Sequence, residues 1–349
     1  MVNLALVGNS RVAVRHLECI KDNKNIEISC VCDVDPLKAK QLGDDLGVPY
    51  FTNSDDMYSF GKFDVVDITV PSGYHYEQAL LAIENKKHLM IEKPLCLRID
   101  HAEAIVRACE QNNLKLWVIF QNRMNLAMQF AKKCIDEQKL GKIHTFFSRL
   151  LWCREHEYYN SDNWHGTWEL DGGVICQQGI HLIDGLCWLL GKPHSVFGEC
   201  KTNLANIPVE DTCLGSITFD SSVSGQIAMT TAVRPHDIEA NLVLLGSKGH
   251  LVIGGVAQNK VISCKGHIEL SEEEIISKYS EEFSSPMGNG HEKIFDNMVH
   301  VLADNGEIII NPESTLNCIK LVHSIYHSNH NKRIEIVSQV QNFPKLGQI

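Results

Sequence analysis

Two residues of this chain stand where a proton could be moved and an oxyanion steadied. Lys93 follows the run His88-Leu89-Met90-Ile91-Glu92 and is locked against Pro94. Proline disfavours helical geometry at the residue before it, so a buried strand is expected to end at Lys93. Doubly wound α/β folds bind ligands at the carboxyl ends of their strands. An ammonium placed there holds a hydroxyl and offsets negative charge growing on its oxygen. A lysine after an edge strand is otherwise simply solvated. The second residue is His181, in a helix expected over 174–190 and ended by Gly191. Gln177 lies four residues before it and Gln178 three, spacings that share one helix face. Ile175, Leu182, Ile183, Leu186 and Leu189 supply the apolar face of the same helix. A histidine in such a helix is either hydrogen-bonded in the core or an acid–base group. Its pKa suits proton transfer near neutrality, and Lys93 in the other domain favours the second reading, because clefts between domains are common ligand sites.

The elements that must position Lys93 are read from the start of the chain. An apolar strand over 3–7 leads into Gly8-Asn9-Ser10-Arg11-Val12-Ala13, a helix runs to Ile20, and a second strand over 26–32 ends on Asp33. Dinucleotide sites use this order: the loop and helix start hold the pyrophosphate, and an acid about 20 residues on binds the ribose hydroxyls. Ser10 and Ala13 occupy the second and third glycine positions of that pattern. Asp33 favours the free 2′-hydroxyl of NAD and repels the phosphate of NADP, and no arginine stands beside it. A helix over 35–46, a strand over 63–70, a helix over 76–85 and the strand to Lys93 follow. Asp100 is expected to cap the next helix, with Glu103 as its reciprocal partner, before a strand over 114–120. Strands alternating with helices imply a parallel sheet with right-handed crossovers.

The pattern changes after Gln121-Asn122-Arg123. A helix is expected to end at Gly141. Strands over 143–152, 212–219, 224–232, 241–246, 250–254 and 261–264 alternate apolar with polar residues. They read as an antiparallel sheet with one face covered. Helices over 291–302 and 314–328 close the chain. The division expected is 1–122 for dinucleotide binding and 123–349 for substrate binding and oligomerisation, with the last helix able to pack back on the first domain.

Composition narrows the classes. The chain has 349 residues, a hydrophobic content of 44% and a formal charge of -11, which suits two domains and speaks against a nucleic-acid backbone as partner. The 13 cysteines are scattered through apolar segments and complete no zinc pattern. Free thiols in a reducing cytoplasm are expected, and no metal ligand set is read. His323 and His327 are four apart, but Ser324 stands where a zinc protease carries its glutamate, so they and His330 read as a solvated helix end. Glu272, Glu273 and Glu274 read as a solvated helix start. The first seven residues lack the basic start and length of a signal peptide. No apolar run is long enough to span a bilayer.

Val7-Gly8-Asn9-Ser10-Arg11-Val12-Ala13, Cys32-Asp33-Val34-Asp35, Val70-Pro71-Ser72-Gly73-Tyr74-His75, Glu92-Lys93-Pro94 and Gly172-Gly173 with Gly179-Ile180-His181-Leu182-Ile183-Asp184 resemble the glucose–fructose oxidoreductase / inositol dehydrogenase (Gfo/Idh/MocA) family. The resemblance implies an N-terminal Rossmann domain and a C-terminal α+β domain with a large open, mainly antiparallel sheet. It implies NAD held by Gly8, Ser10, Arg11, Val12, Asp33 and Thr69, and by Pro71, His75, Glu92, Lys93 and Gln121. Lys93 and His181 would contact the reacting hydroxyl. Gln121-Asn122-Arg123, Trp164-His165-Gly166-Thr167-Trp168 and Gln178-Gly179-Ile180-His181 are similar to the branch that oxidises nucleotide sugars, notably UDP-N-acetylglucosamine and its uronate at C3. Substrate contacts would then come from Lys93, Arg123, Trp164, Gln177, Gln178 and His181. Gln177 replaces the aspartate or asparagine usual four residues before the histidine, and His165 replaces an arginine of the loop.

The function expected is oxidation of a secondary hydroxyl of a sugar, most simply a nucleotide sugar, with NAD as acceptor. Alternatives are an NAD(P)H-dependent reductase of a nucleotide-linked keto-sugar and a non-catalytic dinucleotide-binding regulator. Either His181 or Lys93 accepts the proton. A homodimer or homotetramer is expected, from the free face of the sheet together with the habit of the family.

Overall fold

The alternation in the first 120 residues folds as a six-stranded parallel sheet. In the computed structural model, which describes residues 1–283, 288–303 and 306–348, the first elements are β1 (Val2–Val7), α1 (Arg11–Ile20), β2 (Ile26–Cys32), α2 (Pro36–Leu46), β3 (Tyr50–Phe51) and α3 (Ser54–Phe60). They continue with β4 (Val65–Ile68), α4 (His75–Glu84), β5 (His88–Glu92), α5 (Ile99–Gln111) and β6 (Leu116–Ile119). The strand order is β3-β2-β1-β4-β5-β6. The order reverses between β1 and β4, and the carboxyl ends there form the crevice in which such sheets bind ligands. Both faces are covered, so Leu4, Leu6, Val66, Ile68, Leu89 and Ile91 are almost wholly buried. The short pair β3 and α3 was not anticipated, since two residues of strand carry no periodicity. Helix α5 begins at Ile99, which puts Asp100 inside the first turn instead of at the cap; its Oδ1 accepts from the His101 N–H at 2.9 Å.

The remaining elements are α6 (Leu126–Asp136), β7 (Ile143–Leu151), α7 (His156–Asn160), α8 (Ile180–Leu190), β8 (Pro193–Lys201), β9 (Thr212–Phe219) and β10 (Ser224–Thr230). Then come β11 (Glu239–Gly246), β12 (Gly249–Gly254), β13 (Lys260–Lys265), α9 (Glu272–Tyr279), α10 (Gly290–Leu302), α11 (Pro312–Asn331) and β14 (Glu335–Ile336). An eight-stranded sheet runs β13-β12-β11-β7-β10-β9-β8-β14. All its pairs are antiparallel except β7 with β10, which is parallel. Strand β8 escaped the sequence reading although it alternates Val196 and Gly198 inward with Phe197 and Glu199 outward. One face is covered and the other free. Across the free face one register row joins Val243, Phe147, Gln226, Ser216 and Phe197.

Three boundaries differ from expectation for local reasons. Helix α6 ends at Asp136, well before Gly141. Gln138 takes φ +52, and the N–H groups of Gln138 and Lys139 turn back to the Ile135 and Cys134 carbonyls at 3.0 and 2.8 Å. That is a Schellman closure built on a glutamine. Helix α8 begins only at Ile180. Three glycines at 172, 173 and 179 weaken a helix, and residues 174–179 form turns, with the Gly179 N–H reaching the Val174 carbonyl at 2.7 Å. Gln177 and Gln178 therefore precede the helix instead of sharing its face with His181. Finally, the chain divides into two units, 1–96, 100–120 and 291–315 in the first and 97–99, 121–290 and 316–349 in the second. Residues 291–315 thus join the first unit, because Phe295 packs edge-on against His16 at 5.3 Å and Trp117 Nε1 donates to Asn297 Oδ1 at 3.0 Å. Most of α11 lies in the second unit. Among the described residues no helix is long and apolar enough to cross a membrane.

Candidate active site

The first unit gathers its polar residues at the carboxyl ends of β1, β2, β4 and β5. Gly8 adopts φ +96, and a Cβ on it would lie 3.0 Å from the Val70 nitrogen, so only glycine fits the turn. Ser10 caps α1, its Oγ accepting from the Ala13 N–H at 3.3 Å. Arg11 and Val12 open that helix, the arginine exposed and the valine half-buried. The Asp33 carboxylate accepts from the backbone of Asn9 at 2.7 Å and of Asp35 at 2.8 Å, which fixes it beside the glycine turn. A glycine turn, a capped helix start and a carboxylate at the end of β2 fit a dinucleotide with a free ribose 2′-hydroxyl.

Thr69, His75 and Glu92, expected to touch the cofactor, each hydrogen-bond within the protein through their side chains. Thr69 Oγ1 donates to the carbonyls of Val7 and Gly8 at 3.0 and 2.9 Å, stapling the end of β4 to the turn. The His75 ring lies between the Pro94 carbonyl at 2.8 Å and the Val70 carbonyl at 3.0 Å, and burial lowers its pKa. Pro71 starts the turn that leads to it. Glu92 Oε2 accepts from the Lys93 N–H at 2.9 Å, and Oε1 lies 3.1 Å from His16 Nε2 and 3.5 Å from His291 Nε2. Lys93 itself is half-buried one residue past β5. The structure thus brings His16, Glu92 and His291 together, their ligand-type atoms within 4.8 Å of one another, where the sequence had suggested no such group.

In the second unit His181 is half-buried in the first turn of α8. Gln177 Nε2 donates to Asp171 Oδ1 at 2.6 Å, and Gln178 Nε2 donates to the Tyr158 hydroxyl at 3.1 Å. Trp164 stacks on His165 with ring centroids 3.7 Å apart, and His165 Nδ1 pairs with Asp162 Oδ2 at 2.7 Å. Glu210 underpins the loop before α8. It accepts from the Ile175 N–H at 3.2 Å and from the Tyr326 hydroxyl at 2.9 and 3.0 Å, and burial raises its pKa to about 7. A Cβ on Gly173 would sit 2.1 Å from that carboxylate. Gln121 is buried, and its Oε1 meets no hydrogen-bond partner among the described residues.

Arg123 corrects an expectation. It was read as a substrate contact, yet it is 3% exposed and forks onto Asp184, Nε to Oδ2 at 2.7 Å and Nη2 to Oδ1 at 2.5 Å. A buried guanidinium held at two points by a carboxylate anchors α8, the helix that carries His181, and is not open to a ligand. His323 is corrected as well. It is fully buried, its Nε2 bonded to the Leu97 carbonyl at 2.8 Å and its Nδ1 accepting from the Phe343 N–H at 2.7 Å, so it is no solvated helix end. Sequence reasoning also missed His16, Asp67, His291, Tyr158, Asp171 and Glu210. The one available signal was a charged residue, Asp67, inside an otherwise apolar strand.

Residues 2–120 match the oxidoreductase family with an NAD-binding Rossmann fold, and residues 128–252 match the GFO/IDH/MocA C-terminal domain. The chain is similar to the WlbA dehydrogenase of Chromobacterium violaceum, crystallised with NADH and UDP-GlcNAcA. The two are 30% identical with a TM-score of 0.90, covering 96% of this chain and 95% of the other. The WlbA dehydrogenase of Bordetella pertussis, crystallised with the same pair of ligands, is 29% identical with a TM-score of 0.92, covering 96% and 97%. The scyllo-inositol 2-dehydrogenase (NAD(+)) of Bacillus subtilis is 29% identical over 286 residues, 76% of this chain and 78% of that protein. With both family domains in order and a Rossmann crevice lined as a dinucleotide requires, the chain belongs to the Gfo/Idh/MocA family and is an NAD-dependent oxidoreductase of that type.

Proposed function

We propose that the chain oxidises a secondary hydroxyl of a sugar carried on a nucleotide, UDP-N-acetylglucosamine or its uronate at C3, with NAD as hydride acceptor. The observation that carries this reading is the match, over nearly the whole chain, to two dehydrogenases crystallised with NADH and UDP-GlcNAcA. The loop chemistry supports it. Trp164 offers an aromatic face, and Gln178 and Tyr158 form a polar pair close to it in sequence. His165 stands in place of an arginine and is already paired with Asp162, which favours a neutral sugar over an anionic one.

In this reading His181 accepts the hydroxyl proton while the hydride leaves the carbinol carbon, and Lys93 holds the oxygen and offsets its charge. Both are half-buried, so each keeps part of its surface open. Gln177 acts through its neighbour: the Asp171 carboxylate fixes its amide, so a carboxylate supports this loop from six residues away. Trp164 and Gln178 contact the substrate, whereas Gly8, Ser10, Arg11, Val12, Asp33 and Pro71 line the cofactor crevice. The 13 cysteines are all free thiols, which suits a reducing, cytoplasmic setting.

Two variants test the assignment. His181→Ala and Lys93→Ala should each leave NAD binding, followed by fluorescence titration, within about threefold of wild type while turnover falls about 100-fold or more, the scale of one positioned acid–base group. Wild-type turnover in the histidine variant would make His181 structural and move the proton to Lys93.

A further inference from the structure

The first unit holds a buried charged cluster that the proposed chemistry does not use. His16 on α1, Asp67 on β4, Glu92 at the end of β5 and His291 on α10 are between 0% and 6% exposed. His16 Nδ1 lies 2.8 Å from Asp67 Oδ2, and its Nε2 lies 3.1 Å from Glu92 Oε1. Two carboxylates out of water are costly unless a cation is shared between them. The shared cation is the His16 imidazolium. Burial alone would lower its pKa, but Asp67 and then Glu92 outweigh burial and raise it to about 10. Burial lowers the pKa of His291, with Glu92 acting against it and the His16 charge acting with it.

The position of the cluster gives it a task. Glu92 is the residue before Lys93, and its free oxygen, Oε2, accepts from the Lys93 backbone N–H at 2.9 Å. The carboxylate therefore grips the main chain of the lysine with one oxygen and the helix after the glycine turn with the other. His75 holds the Pro94–Leu95 peptide, through the Pro94 carbonyl at 2.8 Å.

We propose that Glu92, clamped by His16, is a positioning residue that sets the main chain of Lys93 and ties it to the helix whose start faces the cofactor phosphates. This rests on the reading that Lys93 holds the reacting oxygen. A displacement of about 1 Å at such a group can cost 100-fold in rate. The spacing of His16, Glu92 and His291 would also suit a divalent cation. A metal, however, would have to displace the proton that His16 holds between two carboxylates, and ligands bind metal only when deprotonated.

The test uses the full-length protein and three variants, Glu92→Ala, Glu92→Gln and His16→Gln, beside Lys93→Ala. Glutamine at 92 keeps an acceptor for the Lys93 N–H but loses the charge that holds His16. Turnover should fall about 30-fold or more in Glu92→Ala, with partial recovery in Glu92→Gln, while the KM for NAD stays within about threefold, the split expected of lost positioning. His16→Gln should resemble Glu92→Gln and keeps the test open if the alanine variant fails to fold. Wild-type turnover in Glu92→Ala, or a loss confined to NAD affinity, would overturn the proposal. So would one equivalent of zinc in the purified protein, since His16 and Glu92 would then be ligands. If Lys93→Ala keeps its activity, the role given to the lysine has failed; if only the Glu92 and His16 variants keep theirs, the positioning role alone has failed.

Discussion

Asp33 is the residue on which cofactor choice turns. Its carboxylate is fixed by two backbone N–H groups at the end of β2, where a ribose 2′-hydroxyl is bound in folds of this order. Titration of the two cofactors should show tighter binding of NAD than of NADP, and Asp33→Ser should narrow the gap by removing the repulsion. Equal affinities in the wild type would contradict the assignment. Gly8 and Asp33 were legible in the sequence because each sits in a local motif whose chemistry depends on near neighbours, and Lys93 and His181 are proposed from motifs of the same local kind. His16, Asp67 and Glu92 were not legible as a group, because 51 and 76 residues separate His16 from its two partners. The same holds for Arg123 and Asp184, 61 residues apart, where a local reading gave the arginine to the substrate and the fold gives it to an ion pair.

At the scale of elements, strands and long helices followed from periodicity, while their ends were set by turn chemistry and by partners distant in sequence. The segment before α8 shows this. Its apolar residues read as a continuous helix, but Gly172, Gly173 and Gly179 allow turns, and Glu210 from the loop before β9 pins them. Glu210 also makes this segment pH-sensitive. Its folded pKa of about 7 lies above the ordinary carboxyl value, so folding favours the protonated form. The stabilisation is present below about pH 4.5 and is lost as pH rises through 7, with a ceiling of roughly 3 kcal/mol. Chemical denaturation at pH 5 and pH 8 should therefore show wild type losing more stability across that interval than Glu210→Gln. Parallel losses would mean that Glu210 is ionised in the fold throughout.

For the whole molecule, the free face of the eight-stranded sheet exposes Phe147 at 41%, Phe197 at 44% and Leu214 at 53%. Such a patch marks an interaction surface, and a second copy of this chain is the partner inferred, in a dimer or tetramer. Sedimentation velocity should find an oligomer in wild type and a shift towards monomer in Phe147→Asp; a monomeric wild type would contradict this. The alternation that leaves this face free was readable in every long strand but β8, and the parallel pairing of β7 with β10 was not readable, because register depends on contacts between distant segments.

The measurement that tests the central claim most directly is NADH formation by the wild-type protein with UDP-N-acetylglucosamine and its uronate, beside free glucose and free inositol. Nucleotide contacts distant from the reacting carbon should contribute much of the binding energy, so kcat/KM should be about 100-fold or more higher for the better UDP-sugar than for either free compound. Inositol turned over as well as the better UDP-sugar would place the chain in a different branch of its family.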